Sequence, residues 1–379
     1  MKYILLSRAK KNYGDYLIFE RGVQLIKHLK PNTELIEGRA WEPLDSQLTL
    51  TDIKSVDAIV IPGGPGITRF TYPNIYPLCD IVFKYEIPVY FLGVGSVISP
   101  YWANKLEYSK ETLSFLEYIN KYAPIGVRDN ITEKILNNTG MTASLNGCPA
   151  WYCLPDIGKQ FENNTNIRQI IFSVPASDRQ VVSFLSIIKK FRNKIPEVKC
   201  IVSFNRGLGK NNTSAAEYHR NNFIFNKAKL YGCDIIDMSY STKNNNIYNE
   251  SDLHIGFRVH THIYFLSVGK PTFLLADDSR GVGVLQTIQT PGWIIPKYYP
   301  NSKIPKGLNM LLSRMPMPKN NHIYKLQKRL SCIPDIADNV FKEVQKEVDL
   351  GFLSFVQVPS LIKKYYEKKM KPYILNYLP

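Results

Sequence analysis

Residues Asp57–Gly66 read DAIVIPGGPG. The apolar run is unbroken rather than alternating, so the strand it predicts is covered on both faces, as in a parallel sheet. Proline and three glycines end it, and glycine lets the chain turn sharply where the strand stops. The same pattern stands on either side. Upstream, Tyr3–Ser7 is an apolar run followed by the loop NYGD, and Tyr16–Leu29 then places its apolar residues at helical spacing. Downstream, Pro88–Val94 ends at Gly95, Lys110–Lys121 reads as helix, Ile125–Arg128 as a short strand and Asn130–Asn137 as a helix. Strands alternating with helices predict a parallel sheet with helices on its faces.

The stretch Leu154–Asn166 is polar and aperiodic and marks a boundary. A second alternation follows: strand Arg168–Val174, helix Gln180–Asn193, strand Val198–Phe204, helix Glu217–Tyr231 and strand Asp234–Met238. After these come His254–Phe257, helix Thr261–Val268 and strand Pro271–Ala276. The expected architecture is α/β: two facing Rossmann-like domains, 1–155 and 167–300, and a helical, basic C-terminal extension, 301–379. At roughly 150 residues per domain, a chain of 379 accommodates this. Ligands of open α/β sheets sit beyond the carboxyl ends of the strands, so the strand-end loops are expected to face a cleft between the halves.

Lys and Arg number 48 against 32 Asp and Glu, a net charge of +16. That excess favours an anionic partner: a phosphate, a carboxylated metabolite, nucleic acid or an acidic membrane face. Nucleic acid is set aside, because no recognised binding module accompanies the basic residues. The tail LIKKYYEKKMKPYILNYLP interleaves Lys with Tyr and fits either a solvated helix or peripheral contact with an anionic membrane or lipid-pyrophosphate acceptor. Six cysteines include no C-x-x-C pair and are read as reduced structural thiols. The N-terminal apolar run is too short for a signal peptide, and no run approaches the ~18 apolar residues of a spanning helix. The expected location is the cytoplasm, with membrane contact at most peripheral.

Several motifs carry chemistry. In Asn12-Tyr13-Gly14-Asp15 the aspartate either caps the helix start or projects into the cleft as a carboxylate for a sugar hydroxyl. The loops holding Gly63, Gly64 and Gly95 either bring backbone N–H groups to an anion or are plain tight turns. They match neither a Walker A loop nor G-x-G-x-x-G. The most telling segment is Gly256-Phe257-Arg258-Val259-His260. Residues two apart in an extended segment point the same way, so Arg258 and His260 can reach one ligand, the first as an anion fork and the second as a proton carrier. A buried structural Arg–His pair is the alternative. His254 and His262 read as structural; zinc is disfavoured because a cationic Arg lies among the histidines. Arg128-Asp129 at a strand–helix junction, Arg206 in SFNRG, and Arg280 in the strand-end loop Asp277–Gly283 are further cleft candidates. Asp129 is equally an N-cap.

In order, these pieces resemble the polysaccharide pyruvyl transferase family. The likeness rests on NYGDYLI at Asn12–Ile18, IVIPGGPGI at Ile59–Ile67, FLGVGS at Phe91–Ser96, IGVRDNITEKIL at Ile125–Leu136, GCPAWYCLP at Gly147–Pro155 and HIGFRVHTHIYFLSVGKPTFLL at His254–Leu275. It covers roughly residues 1–290. The resemblance implies a two-domain fold like that of GT-B glycosyltransferases. It also implies transfer of pyruvate from phosphoenolpyruvate onto two hydroxyls of a sugar, as a ketal, with release of phosphate. Arg258 and His260 match the family's donor-binding R-x-H. The N-terminal domain, with Asn12, Gly14, Gly63, Gly64, Gly95 and Arg128, is expected to face the acceptor. Two positions depart: Pro175 stands where the family has an arginine closing the first strand of the second domain, and Gly256 where it commonly has serine.

Phosphoenolpyruvate needs cations for its carboxylate and its phosphate, a proton at C3, and a base near the acceptor. Arg258, Arg206 and Arg280 fit the anion contacts, His260 the proton donor or phosphate partner, and Asp15 the acceptor contact or base. No metal or cofactor is expected. The alternatives are a GT-B glycosyltransferase with a nucleotide-sugar donor, and a non-catalytic glycan- or membrane-binding protein.

Overall fold

The computed structural model describes residues 1–97, 107–209, 213–295 and 336–379. Its first half runs β1 (Lys2–Ser7), α1 (Tyr13–Leu29), β2 (Glu34–Arg39), α2 (Leu50–Lys54), β3 (Ala58–Pro62), α3 (Asp80–Lys84), β4 (Val89–Leu92), α4 (Lys110–Asn120), β5 (Ile125–Val127), α5 (Asn130–Asn137) and β6 (Ala143–Leu145). Strands β2-β1-β3-β4 form a parallel sheet, and the parallel pair β5–β6 joins it through a bridge between Val94 and Val127. All five residues of β3 are buried, as its unbroken apolar run requires. Strand β2 was not legible: in ELIEGR charged residues flank the only two apolar ones without a regular period, and only Gly38 is buried. It is an edge strand, where charges ward off further pairing.

The second half runs β7 (Gln169–Ser173), α6 (Val181–Lys194), β8 (Lys199–Phe204), α7 (Ala215–Leu230), β9 (Asp234–Asp237), α8 (Asn245–Asn249), β10 (Leu253–Gly256), α9 (Val259–Ser267), β11 (Thr272–Ala276), α10 (Ser279–Ile288) and β12 (Gly292–Ile294). The sheet order is β12-β11-β10-β7-β8-β9, with every pairing parallel. The strand order reverses between β7 and β10, and in the first sheet between β1 and β3. At such switch points the loops diverge and open a crevice. The segment expected to be a loop at 277–283 is instead largely the start of α10: the Asp278 side chain accepts the Arg280 and Gly281 N–H groups and starts the helix there. Likewise α9 begins at Val259, two residues earlier than expected.

The described end of the chain continues as α11 (Ala337–Asp349), α12 (Val358–Tyr365) and, after one π turn, α13 (Lys371–Tyr377). Helix α11 packs on α6, where Phe341 meets Phe191 edge-on at 5.0 Å. Helix α12 lies against α9 and α10, and α13 crosses back to α1. There Tyr373 Oη donates to the Pro124 carbonyl at 2.8 Å. The basic tail thus has two faces: Lys363, Lys364, Lys368 and Lys369 are exposed, while Ile362, Tyr366, Met370, Tyr373 and Ile374 are buried. One apolar cluster runs without a break from Tyr3 and Leu17 through Trp151 and Tyr152 to Phe172, Phe265 and Tyr366, spanning both halves. Cys79, Cys148, Cys153, Cys200 and Cys233 are free thiols; the stretch 301–335 expected in the extension, Cys332 included, lies outside the described residues. Among the described residues no helix is long and apolar enough to cross a membrane.

Candidate functional site

The site is framed at the carboxyl end of β10. Gly256 pairs there with Ser173 of β7, and a methyl group at 256 would overlap the Ser173 hydroxyl. The serine missing from 256 therefore has its room filled from the adjacent strand. Ser173 Oγ accepts the Arg258 backbone N–H at 3.1 Å and bonds His254 Nε2 at 2.8 Å. His254 Nδ1 and His262 Nδ1 both reach Thr272 Oγ1, at 2.7 and 3.0 Å. Both histidines are fully buried, and burial holds both well below the usual imidazole range. They are structural members of the frame, and among the described residues no group of three or more His, Cys, Asp or Glu is placed to hold a metal.

Arg258 is the extended residue that precedes α9, and His260 lies in its first turn. The two share a side because the chain turns into a helix between them, not because the segment is a strand. They line an inner chamber with Asn205, Arg206, Asp277, Asp278 and Arg280, and with Asn12, Tyr13 and Gly14 of the first half. Gly14 has to be glycine, since a Cβ there would overlap the His260 ring. No side chain caps α9, so its first N–H groups and its positive dipole end face the chamber. Three buried nitrogens of residues lining this space have no partner among the described residues: Arg258 Nε, His260 Nε2 and Arg206 Nε. Buried polar atoms are nearly always satisfied, so a cluster of bare donors, two of them on guanidinium groups, marks a place for an anion.

Electrostatics agree. Burial, reinforced by Arg206, Arg220 and Arg280, lowers Arg258 to about 9. Burial beside Arg128 and Arg280 drops His260 to about 3, so its imidazole is neutral before any ligand arrives. Burial and the neighbouring Asp278 carboxylate lift Asp277 to about 6. Burial would raise Asp278 too, but Arg280, whose Nε donates to it at 2.9 Å, holds it below the ordinary value.

Beside the chamber lies a wider cavity of about 470 Å³. Asn12, Arg206 and Arg280 line both spaces; Arg8, Lys10, Lys11, Asp15 and Trp41 line the wider one. Asp15 does not cap α1: it sits in the third helical position and lines this cavity. Burial pushes its carboxyl above the usual range, against a hydrogen bond with Asn12 and the charges of Arg8, Arg280 and Arg206. Glu217 ties the halves together, pairing Lys11 at 2.9 Å and Arg206 at 3.3 Å, and the Tyr13 N–H donates to the Asn205 carbonyl at 2.9 Å.

Gly63, Gly64, Gly95 and Arg128 line neither space. Arg128 is wholly buried, paired with Asp129 at 3.1 Å and packed on Gly95. Asp129 is the N-cap of α5, accepting the Thr132 N–H at 2.8 Å. Gly64 leaves space for Arg8, whose guanidinium lies 5.7 Å from the Tyr76 ring centre. At Pro175 the backbone takes part instead of a side chain: its carbonyl accepts from Arg258 at 3.4 Å. A further cation near the chamber is Arg220 of α7, buried and paired with Asp178 at 3.2 Å. Sequence reading missed Arg8, Trp41, Asn205 and Arg220. Arg8 and Asn205 follow β1 and β8 directly, a position that could have flagged them; Trp41 and Arg220 carry no local signal.

A family model described as polysaccharide pyruvyl transferase matches residues 12–279. No curated protein matches in sequence. Among solved structures, a Listeria monocytogenes protein described as a UDP-N-acetylglucosamine 2-epimerase superposes with a TM-score of 0.53 at 10% identity, covering 99% of this chain and 94% of its own. The UDP-GlcNAc 2-epimerase of Neisseria meningitidis bound to UDP-GlcNAc gives 0.50 at 11% identity, with 97% and 98% covered. Anabaena Alr3699/HepE in complex with UDP and glucose gives 0.50 at 10% identity, with 97% and 98% covered. At such identities the likeness concerns the fold, which is of the GT-B type.

Proposed function

The chain belongs to the polysaccharide pyruvyl transferase family and is a transferase, and from that premise we propose that it moves pyruvate from phosphoenolpyruvate onto two hydroxyls of one sugar, releasing phosphate. The observation that carries the reading is the set of unpartnered donors on Arg258, His260 and Arg206 at the uncapped start of α9. A ligand with a carboxylate and a phosphate satisfies them together. Arg258 forks one anionic group, with Arg206 and Arg280 completing the positive wall. His260 enters uncharged and offers Nε2 to the phosphate. Excluding water from so positive a chamber strengthens each contact on charge that develops during transfer.

The reaction closes as follows. C3 gains a proton and C2 becomes cationic. One sugar hydroxyl attacks C2 and loses its proton; phosphate departs; the second hydroxyl closes the ketal, and its proton leaves with the phosphate. The acceptor occupies the wider cavity, with Asp15 as contact or base for a hydroxyl and Trp41 as a platform for the ring. The acceptor class is a sugar of a polysaccharide or of a lipid-pyrophosphate-linked precursor, and Arg8, Lys10 and Lys11 suit an anionic one. The exposed lysines of α12 and the following turn are the face that would meet an acidic membrane from the cytoplasm.

The test is direct. Purified protein with phosphoenolpyruvate and a glycan acceptor is expected to release phosphate only when both are present, and to leave the acceptor heavier by one pyruvate less one water. Nucleotide release from a UDP-sugar under the same conditions, without phosphate release from phosphoenolpyruvate, would overturn the reading.

A further inference from the structure

The donor reading above leaves one requirement without a group: the proton for C3. His260 is poorly placed to supply it, because burial beside Arg128 and Arg280 keeps its ring neutral. Asp278 is committed on both oxygens: one accepts the Arg280 and Gly281 N–H groups at 3.0 and 3.4 Å and the other the Arg280 side chain at 2.9 Å. Asp15 lines only the wider cavity. Asp277 differs from all three. It directly follows β11, one strand from the β10 end that carries Arg258, and it lines the inner chamber. Among the described residues no other side chain hydrogen-bonds to it, and it caps no helix.

We propose that Asp277 is the catalytic acid that delivers the proton to C3 of the enolpyruvyl donor. The inference rests on the phosphoenolpyruvate reading. The Asp277 O–H gives its proton to C3, and the C2–C3 π pair forms the new C–H bond. The cation left at C2 is stabilised by the oxygen it shares with phosphate. The resulting carboxylate then takes the proton of the first attacking hydroxyl, so Asp277 ends as it began. The surroundings suit this cycle. Burial and Asp278 hold the free acid near neutrality, at about 6, while Arg280 from α10 and Arg258 from the β10–α9 junction pull the other way and steady the carboxylate once formed. His260 faces the same space as a neutral ring, Arg206 as a further cation, and an arriving donor dianion favours the protonated acid still more.

The experiment uses the full-length protein with phosphoenolpyruvate and a glycan acceptor. Asp277→Asn is expected to lower kcat at least 100-fold, within the range for loss of a general acid, while still binding phosphoenolpyruvate by calorimetry. In wild type, kcat falls as pH rises, because the acid must be protonated; Asp277→Glu, which keeps a carboxyl, is expected to recover part of the rate and to move that alkaline limb. A merely structural role would not move the limb. An Asn variant within threefold of wild type and with the limb in place overturns the assignment and leaves the donor reading standing. An Asn variant that no longer binds phosphoenolpyruvate makes Asp277 a binding residue and also overturns it. A wild type that neither binds phosphoenolpyruvate nor releases phosphate removes both.

Discussion

The glycine loops of the first half and the Arg258–His260 segment of the second both stand at strand ends, yet they are built oppositely. Around Gly95 the space is filled: Arg128 lies on it, paired with Asp129, which itself caps α5. Around Arg258 and His260 the donors are bare and the helix start is uncapped. In sequence the two look alike, as small or polar residues after an apolar run. What separates them is the ion pair: Arg128 keeps one bare nitrogen, Nη1, but its charge is matched by the buried Asp129, whereas among the described residues no carboxylate pairs with Arg258.

Mutations can break that contrast, and the largest effect is expected at the open region. Arg258→Ala should lower phosphate release on the order of 10³-fold while the circular-dichroism spectrum and melting curve stay close to wild type; turnover within tenfold of wild type would place the anion elsewhere. Next comes the contact between the halves. Gly14→Ala sets a methyl against the His260 ring and is expected to cost roughly 10²-fold in kcat/KM, the scale of an ångström of misplacement. Measured beside it, His260→Ala should remove the penalty of the second change, so that the double variant is no worse than the single.

In the closed region the same kind of change should act on stability instead. Gly95→Ala drives a methyl into the buried Arg128 guanidinium and should destabilise by about 1–3 kcal/mol in denaturant titrations, with kcat of the folded protein little changed. The pH response sharpens the comparison further. His260 starts at about 3, and a bound dianion favours its protonated form. Between the free and bound values, binding then takes up a proton, so phosphoenolpyruvate binds more weakly as pH rises, by up to about tenfold per unit. His260→Gln should flatten that slope in calorimetry. The smallest effect belongs to the surface. Replacing Lys363, Lys364, Lys368 and Lys369 together with Ser, all exposed, should leave each position within about 0.5 kcal/mol of wild type, while sedimentation with anionic vesicles is lost if the tail is a membrane face.

The layout of the sheets was readable because their central strands are unbroken apolar runs. AIVIP of β3 and TFLLA of β11 are buried throughout and leave no second interpretation. Reading failed where that signal is absent by nature: at the charged edge strand β2, and at α10, whose first turn SRGVG resembles a loop until Asp278 is seen capping it. Within the site, Arg258 and His260 were visible as a two-residue spacing. Asp277 was visible only as part of a run; that no other side chain among the described residues bonds it, while Asp278 holds Arg280 and Gly281, is a fact of three-dimensional arrangement. Gly63, Gly64 and Gly95 were drawn toward the ligand because strand-end glycines serve phosphates and packing equally well, and sequence does not say which. Trp41 and Arg8 line one cavity from a loop and a strand end that no local pattern connects.

The return of α13 to α1 and to the Pro124 carbonyl has a bearing on how the polypeptide matures. On the ribosome, residues 1–145 emerge long before 371–378, the segment that supplies Tyr373, Ile374 and Leu378 to the cluster containing Tyr3, Leu25 and Tyr90. The nascent first half must wait with that oily flank uncovered, a stage at which chaperones engage and nascent chains aggregate.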